Sequence, residues 1–151
     1  MIRSARAAAA LCVACTLGAA PGFAAAPPTV DTCRLTTRHV VALALAAPVR
    51  DGRRLRGNGA CQFRAPHGPS ATIAERAGNA AYFAAYIKNA RDELNVDALP
   101  LAHLGERAAR WPGNVALVRR GKFALVTILG VNGSAADAAA LAIARDVATR
   151  L

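Results

Sequence analysis

The chain has 151 residues, 54 % of them hydrophobic and only 5 % aromatic, with a formal net charge of +10. That length holds one modest domain, and the apolar share excludes a disordered tail. The charge excludes attraction to cationic partners and directs attention to anions.

Residues 1–26 read as a secretory signal peptide. Arg3 and Arg6 give a positive start, Ala7–Leu17 an apolar run, and Ala24-Ala25-Ala26 the small residues a signal peptidase requires, which sets the mature start near Pro27. The apolar run is shorter than the roughly 20 strongly apolar residues of a membrane span. A minor alternative is lipid anchoring through Cys15, which closes the segment "CVAC". Residues 27–151 then form an exported α+β domain, periplasmic or secreted. Two of the 19 basic residues lie in the leader and all nine acids follow it, so this domain carries +8. Outside the cytoplasm such a surface meets phospholipid headgroups, lipopolysaccharide or acidic wall polymers, and nucleic acid is disfavoured.

Cys33 and Cys61 are the cysteines left in the exported part. Two cysteines in an oxidising compartment pair, and closing this loop stabilises the fold by about 3.6 kcal/mol on the chain-entropy relation. The competing reading, a reactive thiol with His39 as base, lacks any nucleophile signature.

The elements follow in order. Thr36 or Thr37 caps a first helix whose Val40, Val41, Leu43 and Leu45 make apolar contacts before Pro48 stops it. Gly57-Asn58-Gly59 marks a turn, and Ala60–Arg64 a strand expected to carry Cys61 and Phe63 on opposite faces. The bridge would tie the first helix's entrance to that strand. Ser70–Arg76 is a second strand. Asn79 caps a helix running to about Leu94, with Phe83, Ile87, Ala90 and Leu94 at helical spacing beside Tyr82 and Tyr86. This stripe reads as core, while Lys88, Arg91 and the adjacent Asp92 and Glu93 form a solvated face. Gly105–Trp111 is a strand. Asn114–Arg119 and Lys122–Val131 form a hairpin around Arg120-Gly121, and "FALVTILGV", apolar on both faces, reads as a central strand covered by helices. Ser134 with Asp137 resembles a capping box opening the last helix, whose Ala140, Ile143, Ala144, Val147 and Leu151 share one arc. The segregation predicts a single small α+β domain: an antiparallel sheet of about five strands with about three helices mostly on one face.

No pattern carries recognised chemistry. His39, His67 and His103 stand in no metal-ligand spacing, no Walker loop or GxSxG occurs, and no catalytic residue or cofactor is indicated. The most suggestive cluster is Arg50, Arg53, Arg54 and Arg56 with Arg64 nearby, a candidate anion-binding set able to grip phosphate or carboxylate through forked hydrogen bonds. The bland reading of these arginines is a solubilising loop.

The pieces "CRLTTRHVVALAL", "GACQF", "HLGERA" and "LAIARDVATRL", taken together, resemble small bacterial cell-envelope domains of the lipoprotein type. The resemblance implies a disulfide-tied α+β domain without assigned activity, and it carries over no catalytic residue. The reading is an exported, non-enzymatic binding or accessory domain of the bacterial envelope, with an anionic envelope component or an envelope protein as partner. The alternative is a small envelope hydrolase or transferase with a histidine base.

Overall fold

A computed structural model describes residues 31–151. The expected signal peptide, the Ala24–Ala26 cleavage site and the candidate lipidated Cys15 lie outside the described residues.

A 3-10 turn, Thr32–Arg34, opens the described chain, with the Asp31 side chain accepting the Cys33 N–H. Helix α1 spans Arg38–Ala44, and Thr37, not Thr36, caps it by accepting the Val40 N–H at 3.3 Å. Val41 and Leu45 are buried, but Leu43 is 69 % exposed. Two positions from Val41 turn a helical side chain by about 200°, so the two residues cannot share a face. Strand β1 is the two-residue Arg53–Arg54, and β2 is Cys61–Arg64. Cys61 and Phe63 are both buried on one face, which corrects the expectation of opposite faces: strand side chains alternate with period two. The Cys33–Cys61 disulfide is formed, with the two Cα atoms 5.0 Å apart. It ties the approach to α1 to β2, as expected. Gly52 runs against this joint, since a Cβ there would lie 2.6 Å from Cys61 Sγ and 2.7 Å from Phe63 Cζ.

Strand β3 is Ser70–Ala77. Helix α2 is Ala80–Leu94, capped by Asn79, whose side chain accepts the N–H groups of Ala81 and Tyr82. Strand β4 is Leu99–Pro100, β5 Arg107–Trp111, β6 Asn114–Arg119 and β7 Lys122–Leu129, and helix α3 runs from Gly133 to Arg150. Asn132 precedes α3 without a side-chain cap, and no capping box forms. Asp137 instead accepts the Gly113 N–H at 2.7 Å, pinning the β5–β6 turn to the helix.

The result is an α+β fold, one small domain built on one seven-stranded antiparallel sheet in the order β1-β2-β3-β7-β6-β5-β4. Seven strands replace the expected five because β1 and β4 are two residues each, too short to leave an alternating pattern in the sequence. Both lie at the edges, and Pro100 in β4 lacks an N–H for further pairing.

Strand β7 is central, paired along its whole length with β3 on one side and from Lys122 to Thr127 with β6 on the other. Its Ala124, Val126 and Ile128 join the buried cluster beneath α1 and α3, with Val115, Leu117, Ile143, Ala144 and Val147. Phe123 and Leu125 face the opposite cluster beneath α2, with Phe83, Trp111, Ala116 and Val118. Two helices thus cover one face and α2 covers part of the other. Of the α2 aromatics Phe83 is core, as expected, and the half-buried Tyr82 and Tyr86 pack against the same cluster, their rings 5.1 and 4.9 Å from that of Phe123. Leu94, at the end of the expected stripe, is 59 % exposed. Among the described residues no helix is long and apolar enough to cross a membrane.

Candidate functional site

Sheet register decides which arginines meet. Arg53 pairs with Gln62, Gln62 with Thr72, Thr72 with Thr127, and Thr127 with Asn114. Residues directly opposite point the same way, so these five form one polar row on the face away from α1 and α3. Arg64, two residues after Gln62, lies on that same face. Arg50 runs alongside, its backbone N–H donating to the Arg64 carbonyl at 3.0 Å. Arg50, Arg53 and Arg64 therefore converge, with Gln62 and Asp51, around an open cleft of about 280 Å³ at the β1–β2 edge.

Arg54 and Arg56 do not join them. Arg54 sits opposite Cys61 and so faces the other side of the sheet, and Arg56 belongs to the turn that follows. The local hydrogen bonds explain that turn: Leu55 donates to the Ala60 carbonyl, and the Asn58 side chain accepts the Ala60 N–H at 3.1 Å. All five arginines are exposed, and none makes an ion pair among the described residues. Asp51, the acid nearest them in sequence, pairs with Arg38 at 3.5 Å.

A second, larger cleft of about 580 Å³ opens at the opposite end of the strands. His103, Glu106, Arg119, Arg120, Arg145 and Thr149 line it. In the sequence His103 stands in no ligand spacing, and Arg119, Arg120 and Arg145 form no local cluster with it. Residues 103 to 149 meet only through the fold, so no local pattern announces them. Glu106 Oε1 accepts the Arg120 N–H at 2.8 Å, and the Thr149 hydroxyl donates to the Asp146 carbonyl at 2.7 Å.

His39 lies exposed on α1 and His67 exposed in the β2–β3 connection. Cys33 is bonded to Cys61, so the thiol that His39 would have activated is absent. Asp92 is held by Lys88 at 2.7 Å on the exposed face of α2, and this hydrogen bond raises the lysine pKa above its usual value. No group of three or more histidine, cysteine or acidic side chains able to hold a metal ion occurs among the described residues. No protein-family model, no curated protein and no solved structure matches the chain.

Proposed function

We propose that the protein is an exported, non-enzymatic binding domain of the bacterial envelope that recognises an anionic envelope component at the Arg50–Arg53–Arg64 cleft. The observation that carries this reading is the convergence of three exposed guanidinium groups, none ion-paired among the described residues, beside Gln62 in one recess. Each guanidinium presents a planar fork of donors that matches phosphate or carboxylate oxygens. The signal-like leader, the disulfide between Cys33 and Cys61 and the resemblance to envelope domains support the same placement outside the cytoplasm.

The alternative, a hydrolase or transferase with a histidine base, finds its best location at His103. There, Glu106 and Thr149 already serve other hydrogen bonds, and the His103 side chain has no hydrogen-bond partner among the described residues. A base needs an orienting partner, so the geometry favours binding.

Retention on isolated anionic envelope material tests the reading. The triple variant Arg50→Ser, Arg53→Ser, Arg64→Ser should lose its salt-sensitive retention, while Arg54→Ser with Arg56→Ser keeps most of it. Wild-type retention by the triple variant at low and moderate salt overturns the proposal.

A further inference from the structure

The cleft lined by His103, Arg119, Arg120 and Arg145 is separate from the one just assigned. Arg64 is aligned through Ser70 with Leu129, and Arg119 pairs with Lys122. Leu129 and Lys122 are the two ends of β7, roughly 23 Å apart at about 3.3 Å per residue. One small ligand cannot reach both clefts.

Three elements build this second recess: the loop before β5, the β6–β7 turn and the last turns of α3. Each is fixed in place. Gly105 lets the loop lie against β6, where a Cβ would stand 2.5 Å from the Val118 carbonyl oxygen. Arg119 is half-buried and donates from Nη1 to the Ala148 carbonyl, which also occupies one of the carbonyls that α3 leaves open at its end. Arg120 and His103 are two of the four non-glycine residues with positive φ among the described residues, at 51° and 60°. Side-chain-bearing residues rarely adopt this conformation, and a hairpin turn such as Arg120-Gly121 normally takes asparagine or glycine there. Arg120 lines the recess from this constrained turn.

The charges do not cancel. Glu106 is the one carboxylate in the lining, set against three guanidinium groups, and Arg119, Arg120 and Arg145 make no ion pair among the described residues. One carboxylate ligand would be satisfied by a single fork. Three forks around one recess suit a group with three terminal oxygens and close to two negative charges. We infer that this recess binds a phosphate monoester, with Arg119 as the fixed floor and Arg120 and Arg145 closing from the sides.

The ester can belong to a soluble metabolite or a lipid headgroup, and two probes separate these sources. Inorganic phosphate is titrated into the purified protein and followed by phosphorus NMR. Vesicles of phosphatidylcholine and phosphatidic acid in equal parts are compared with pure phosphatidylcholine vesicles. Wild type should bind phosphate, and Arg120→Ser with Arg145→Ser should weaken it about tenfold or more, since two exposed forks are lost. Repeating the comparison in the Arg50→Ser, Arg53→Ser, Arg64→Ser background removes the β1–β2 cleft from the reading and should show the same loss. Phosphate-competed binding to the phosphatidic acid vesicles assigns a lipid source, and phosphate binding without vesicle binding assigns a soluble one. No phosphate binding by wild type, or equal binding by the double variant with an unchanged circular dichroism spectrum, overturns the inference.

Discussion

Thr36 and Asp146, 110 positions apart in sequence, are joined by a 2.8 Å hydrogen bond from the threonine hydroxyl to Asp146 Oδ2. Thr36 is buried just ahead of α1, and Asp146 lies in the penultimate turn of α3, so this bond fixes how the two helices lie together. Asp146 Oδ1 also receives Arg150 at 3.4 Å. A hydrogen bond to a charged group contributes about 1.5–3 kcal/mol. Thr36→Val should therefore lower the unfolding free energy by about 2 kcal/mol in urea titration. A double-mutant cycle with Asp146→Ala, which removes the acceptor, should return a coupling within the range of about 0.5–3 kcal/mol seen for contacting pairs. Additive effects would show that the bond contributes nothing.

The disulfide supplies a second measurable term. Reduction should lower the unfolding free energy by about 3.6 kcal/mol, the loop-closure value for a sequence separation of 28. Guanidinium melts with and without reductant give this directly, and coincident curves would contradict it. Free-thiol labelling of the unreduced native protein should find neither Cys33 nor Cys61.

Glu75 on β3 is 5 % exposed, and both its carboxylate oxygens lack a hydrogen-bond partner among the described residues. A buried polar group without a partner costs about 1–3 kcal/mol. Glu75→Met, close in length and apolar, should raise thermal stability by a comparable amount, whereas Glu75→Gln should leave most of the deficit in place. Destabilisation by methionine would reveal a polar partner for this side chain.

Tyr86 gives the fold a dependence on alkaline pH. Its ring packs against Phe123 at 4.9 Å and Trp111 at 6.3 Å, and burial raises the phenol pKa above its ordinary value of 10.0, with Arg76 opposing the shift. The unfolded chain then loses this proton at lower pH than the folded one. The stabilisation is complete below about pH 10 and is lost as pH climbs from there through the folded pKa. Stability of the wild type should fall with pH in that window, and Tyr86→Phe should fall less steeply. Equal slopes in pH-dependent urea melts would refute the assignment.

The sequence carried most of the fold because its periodic segments are long. β3, α2, β6 and β7 stand within a few residues of where alternation and helical spacing put them. β1 and β4 were not legible, since two residues cannot show a period and both exist by pairing with a neighbour. Thr36 and Asp137 looked like local caps, yet each spends its side chain on a distant element, a choice made by packing. For the arginines, proximity in sequence misled: Arg53 and Arg54 point to opposite faces, and Arg64 joins Arg53 from the next strand. The recess at His103 was out of reach of any local rule, because its lining comes from three segments spread over 47 residues.

The place of β7 bears on the order of assembly. Its pairing with β6 closes across a two-residue turn, but its pairing with β3 joins positions as far apart as Ser70 and Leu129. A ribosome delivers the amino end first, so the β2–β3 ribbon is made well before the strand that completes it. Until then β3 lacks the neighbour it pairs with along Ser70–Ala77, and the nascent half-sheet presents an open, sticky edge. The β6–β7 hairpin and α3 are thus made after the strands they complete, and truncations there should send the product to proteolysis or aggregates.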